Sequence, residues 1–241
     1  MNKKNYIIIV ILLIIIAVLS VMIITYHPPG KTVNNSPYKE TLANNSDDPG
    51  TVEVIRNIGN SNSSKKIAYV VGVHPLENET HKTLVKLLPE EKNLNYCYDV
   101  YMINVTDNVG SYGQGYSDDT DPGRQNGQNL AYKYVYPEIK NGDYDLALDI
   151  HSNIGAYPYK TFVFCPVKEG PGVEYARDVE KQCSNINYYT PDSTTSGPFL
   201  TVPLNENGIP AFYFEEYSFA SQKDKDEHML ELISAVDGLD F

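Results

Sequence analysis

Residues 66–73 read KIAYVVGV, a run that stays apolar after its lysine and does not alternate. A strand with one wet face alternates, so an unbroken run predicts a strand covered on both faces. A sheet with helices packed on either side supplies that cover. Residues 145–150 (DLALDI) predict a further strand and 211–215 (AFYFE) an aromatic one. Residues 96–105 (YCYDVYMINV) and 161–165 are aromatic or β-branched and predict two more strands. The alternating TVEVI at 51–55 predicts the first strand of the domain. Between these runs the spacing turns helical. Leu76, Thr80, Leu84 and Leu87 or Leu88 mark one helix, and Val173, Ala176, Val179 or Glu180, and Cys183 a second. Met229, Leu232, Ile233 and Val236 mark a closing helix that ends at Gly238. Asp121-Pro122 is a helix start, with that helix running towards Tyr136, while 106–121 and most of 184–208 read as loop. Strands alternating with helices predict an α/β fold on a mostly parallel sheet, with ligands at the carboxyl ends of the strands.

The N-terminus is of another kind. Residues 7–25 (IIIVILLIIIAVLSVMIIT) are 19 residues with only Ser20 and Thr25 polar. At about 1.5 Å per residue they nearly span a hydrocarbon core. No small-residue cleavage pattern precedes His27-Pro28-Pro29-Gly30, so the run predicts a retained transmembrane helix and not a cleaved signal. Lys3 and Lys4 put the N-terminus inside the cell and the rest outside. The predicted organisation is an anchor over 1–26, a flexible Asn/Ser/Pro-rich linker over 27–50, reaching 65 at most, and an extracytoplasmic domain over 51–241. The expected location is the cell membrane, single-pass, with the C-terminal domain extracellular. Sequons at Asn34, Asn44, Asn62, Asn78 and Asn104 are compatible with it.

Charge and cysteine content narrow the function. The formal charge is −12, and Arg56, Arg124 and Arg177 are the only arginines, which argues against a nucleic-acid partner. Cys97, Cys165 and Cys183 are too scattered for a thiolate zinc site; a Cys165–Cys183 disulfide is an expectation for an extracellular chain. No G-x-S-x-G is present, so a serine nucleophile elbow has no support.

Three of the predicted strands end in residues capable of chemistry. The first ends at His74, with Glu77 three residues on; the second at His151; the last at Glu215 and Glu216. Parallel strands bring such ends to one edge. Residues three apart share a face of a turn, so His74 and Glu77 can bind one ion, with His151 as third ligand. Two neutral imidazoles and one carboxylate suit a catalytic zinc ion with an open position. Glu215 and Glu216 point to opposite faces of a strand, so one of the two reaches the metal. Asp149 shares the face of His151 and suits a carboxylate behind that imidazole. Arg124, in PGRQNG, suits an oxyanion or a substrate carboxylate, with Gln125 and Asn126 assisting as substrate-binding residues.

VVGVHPLE, LALDIHSN and AFYFEEY, in that order, resemble the zinc metallocarboxypeptidase and succinylglutamate desuccinylase–aspartoacylase superfamily. The resemblance covers the chain from about Lys66 to its end. It implies a three-layer αβα fold with a mixed central sheet and one zinc ion. It makes His74, Glu77 and His151 the ligands, Glu215 the general acid/base with Glu216 its rival, and Arg124 the oxyanion or carboxylate holder. Pro75-Leu76 departs from the family pattern, and no Asn-Arg pair stands between Glu77 and His151.

Three readings of function follow. The first is a membrane-anchored, zinc-dependent peptidase of carboxypeptidase type that trims cell-wall or surface peptides. The second is a zinc-dependent deacylase of N-acyl amino acids or small amides. The third is a non-catalytic surface binding module on the same fold.

Overall fold

The computed structural model describes residues 36–44, 48–107 and 122–241. The expected anchor, the first part of the linker and most of the 106–121 loop lie outside these residues. Among the described residues no helix is long and apolar enough to cross a membrane.

The strands are β1 (Tyr38–Ala43), β2 (Gly50–Gly59), β3 (Lys66–Val71), β4 (Cys97–Val105), β5 (Leu146–Asn153), β6 (Phe162–Phe164), β7 (Asn187–Tyr188) and β8 (Ala211–Tyr217). They form one mixed sheet in the order β1-β2-β4-β3-β5-β8-β6-β7. The central strands β4, β3, β5 and β8 run parallel, and antiparallel pairs flank them. The helices are α1 (Asn78–Leu87), α2 (Pro122–Leu130), α3 (Tyr136–Lys140), α4 (Pro171–Gln182), α5 (Thr201–Glu206) and α6 (Gln222–Asp237). A π-helical turn, Ala131–Val135, joins α2 to α3.

Burial on both sides of the sheet explains the unbroken apolar runs. On β3, Ile67, Tyr69 and Val71 face a core closed by Leu84 of α1, Val179 of α4 and Leu232 of α6. Ala68 and Val70 face the opposite core, closed by Leu130 of α2, Ile139 of α3 and Leu204 of α5. Met229, Leu232, Ile233 and Val236 are all buried, as their helical spacing predicts.

Two glycines set the approach to the site. Gly72 has φ +90°, and a Cβ there would stand 1.9 Å from the Ile103 carbonyl. Glycine therefore fits this bend, which ends β3 and turns the chain towards His74. A Cβ on Gly127 would stand 2.0 Å from the Val73 carbonyl. That close approach lays α2 against the residue before His74.

The structure corrects two expectations. Tyr38–Ala43, inside the stretch read as linker, is a strand paired with β2. Four of its six side chains are exposed, so no apolar pattern announces it. Residues 184–208 are mostly loop, as read, with the short β7 and α5 inside them. Cys165 and Cys183 are not joined; their thiols point to the carbonyls of Ala211 and Glu231.

Candidate metal centre

The carboxyl ends of β3, β5 and β8 converge on one edge of the sheet. His74 follows the Gly72 bend in extended backbone, and a 3-10 turn, Pro75–Glu77, brings Glu77 back beneath it. His151 is the sixth residue of β5 and pairs in register with Glu215 of β8. In-register neighbours on parallel strands present their side chains to the same face. His151 and Glu215 thus lie on the α2 side, with Asp149 and Tyr213 one step back.

His74, Glu77 and His151 are all buried, and one ligand atom from each lies within 4.8 Å of the others. Glu77 stands between the rings: Oε1 is 2.9 Å from His74 Nδ1, and Oε2 is 2.9 Å from His151 Nδ1. The Ser152 N–H donates to Oε2 at 2.8 Å, and Arg124 Nη1 approaches Oε1 at 3.4 Å. The ring centroids of the two histidines are 4.5 Å apart. Each ring presents its second nitrogen to a different group. His151 Nε2 stands 2.9 Å from Asp149 Oδ1 without an aligned hydrogen bond, and His74 Nε2 stands 3.3 Å from Gln128 Nε2.

The electrostatics match a cation seat. Burial drives the His74 pKa down to about 3, leaving the ring neutral and its lone pair available. At Glu77 burial works against charge, but the two imidazoles outweigh it and hold the carboxyl well below its ordinary range. At His151 burial favours the neutral ring, but Asp149 and Glu77 outweigh it and hold the pKa well above the usual value. Burial pushes Glu215 up to about 8, against the pull of His151. Its Oε2 is buried and has no partner. A cation held at this place would take over the positive charge that Asp149 and Glu77 otherwise keep on His151, and two imidazoles, one ionised carboxylate and an unpartnered carboxylate beside them fit a catalytic zinc ion.

The adjacent carboxylate lies elsewhere. Glu216 pairs with Ser152 and points to the α1/α6 side. There it accepts from Thr161 Oγ1 at 3.0 Å and the Tyr217 N–H at 2.8 Å, and meets His228 Nδ1 at 2.9 Å. Register thus places Glu215 alone of the two beside the His/Glu cluster.

A cavity of about 290 Å³ opens on the cluster, with Arg124, Ser152, Tyr157, Thr194, Thr195 and Glu215 in its wall. Arg124 Nη2 donates to Thr195 Oγ1 at 3.2 Å. Asn126 stands outside this wall; its amide donates to the Asp107 carbonyl at 3.3 Å. Gln125 bonds to Asn129 on the exposed side of α2. Gln128, Tyr157 and Thr195 escape sequence reasoning. The one available signal is that Gln128 lies four residues after Arg124, on the same face of a helix.

No protein-family model matches the chain, and no curated protein matches it. Solved structures do. A metallo-carboxypeptidase from Burkholderia cenocepacia aligns with TM-score 0.51 and 12% identity, over 86% of this chain and 65% of that one. The two chains share a fold. The tripeptide-bound cell shape determinant Csd4 from Helicobacter pylori shares it, with TM-score 0.50 and 12% identity, over 83% of this chain and 54% of that one. So does the mDAP-bound form of Csd4, a D,L-carboxypeptidase, with TM-score 0.50 and 11% identity, over 71% and 50% of the two chains. The chain thus spans between half and two thirds of the length of these carboxypeptidase-fold proteins.

Proposed function

We propose that this chain is a zinc-dependent peptidase of carboxypeptidase type, held outside the cell by its N-terminal apolar run and acting on cell-wall or surface peptides. The observation that carries the reading is the in-register pair His151–Glu215, which puts one unpartnered carboxylate beside the buried His74–Glu77–His151 cluster. Zinc, when held by those three residues, supplies Lewis acidity that lowers the pKa of water and polarises a carbonyl. Glu215 takes the proton of the attacking water at Oε2 and passes it to the leaving amine. Burial raises the proton affinity of this carboxyl, which suits it to hold the water's proton until the amine leaves. Arg124, in the cavity wall, holds the oxyanion or the terminal carboxylate of the substrate.

The wall-peptide role rests on the expected outward location, and the tripeptide- and mDAP-bound states of Csd4 are in keeping with it. Incubating the full chain with purified wall peptides and simple peptides, with and without a chelator, tests it. Chelator-sensitive release of an amino acid from wall peptides is expected. Cleavage of simple peptides alone would remove the wall role.

A second reading, deacylation of N-acyl amino acids, is favoured by the modest cavity and by Arg124 as the one arginine in its wall. Faster turnover of acyl amino acids than of peptides in the same assay would select it.

A further inference from the structure

The two histidines of the cluster are held from behind by chemically different groups. His151 has the carboxylate of Asp149, while His74 has the carboxamide of Gln128, 3.3 Å from its Nε2 and itself buried. Gln128 reaches that place because Gly127 lets α2 touch the Val73 backbone. An imidazole that gives its Nδ1 lone pair to a metal must carry its proton on Nε2, and that N–H needs an acceptor inside the protein. A carboxamide meets either need: its nitrogen donates to a bare ring nitrogen, and its oxygen accepts from a protonated one.

We infer that Gln128 is the positioning residue for His74 as a metal ligand, fixing the ring through its Nε2 without adding charge to the site. The inference rests on the metal-binding reading above and assigns a role to a residue outside the ligand set. Asp149 leaves a negative charge behind one ligand, and Gln128 leaves none behind the other. The site therefore carries one outer carboxylate in place of two, and less negative charge reaches the metal. Gln128→Leu removes the acceptor at nearly constant volume. Gln128→Glu keeps both shape and acceptor and adds the charge that the native residue withholds.

The test is a competition titration of the full chain with zinc and a chromophoric chelator, alongside metal-free melting curves. Gln128→Leu is expected to bind zinc about 10–100-fold more weakly than wild type. Gln128→Glu is expected to bind at least as tightly as wild type. Equal affinity of wild type and Gln128→Leu would overturn the role. If Gln128→Leu also lowers the metal-free melting temperature, Gln128→Glu decides: tight binding supports the role, and weakened binding overturns it. A wild-type chain that binds no zinc overturns the metal reading itself and this role with it. A wild type that binds zinc with no dependence on residue 128 overturns this role alone.

Discussion

Asp99 and Asp149 are both fully buried, and their surroundings could hardly differ more. Asp99 Oδ2 takes Arg56 Nη1 at 3.2 Å, Lys66 Nζ at 2.9 Å and the Tyr144 hydroxyl, and Oδ1 takes the Asn57 N–H at 3.0 Å. Glu40 and Glu138 occupy the rest of the Arg56 guanidinium. Every charge there has its counterpart. Around Asp149 the one answering group is His151 Nε2, 2.9 Å from Oδ1, while Asp149 Oδ2 and the nearby Glu215 Oε2 have no hydrogen bond. A folded protein satisfies nearly all of its buried polar atoms, so orphans collected on one edge mark a place kept for something else. The first cluster is satisfied structure; the second leaves buried groups open, as the proposed metal and substrate site requires.

The comparison breaks most sharply at Glu215. Glu215→Gln is expected to lower peptide hydrolysis by about 10²–10⁴-fold while zinc content stays at the wild-type value. A variant with undiminished turnover would return Glu215 to the structural class. Asp99→Ala is expected to cost about 3–5 kcal/mol of unfolding free energy in a denaturant melt, because it leaves Arg56 and Lys66 without their shared carboxylate. Asp149→Asn should do the reverse of Asp99→Ala: the metal-free melt changes less, while zinc affinity falls about 10–100-fold. If both substitutions cost stability alike, the contrast between the two aspartates is lost.

The smallest effect is a pH dependence. Burial raises the Glu215 pKa from 4.5 to about 8 in the folded chain, so between those values the folded state binds the extra proton. Stability from this group is greatest at low pH and declines as pH rises towards 8. Glu215→Gln removes the decline. Melts of metal-free protein should therefore coincide near pH 4 and separate above pH 8, with the glutamine variant more stable.

Much of this arrangement is legible in the sequence. β3, β5 and β8 announce themselves because burial on both faces erases alternation, and their polar ends pick out His74, Glu77, His151 and the Glu215/Glu216 pair. The choice between the two glutamates depends on strand register, which spacing along one chain does not contain. β1 is silent because an edge strand with exposed Tyr38, Lys39, Glu40 and Thr41 looks like linker. Gln128 is silent because its partner is 54 residues away and meets it only through the Gly127 contact. Asn126, two residues earlier on the same helix, turns to Asp107, a difference of helical phase that a reading of PGRQNG alone does not resolve.

The central claim is that His74, Glu77 and His151 form one metal site. Metal analysis of the purified full chain beside His74→Ala and His151→Ala tests it most directly. One zinc ion per wild-type chain, lost in both variants with the fold retained, is the predicted result. A folded wild type that holds no metal and takes up no added zinc would contradict it.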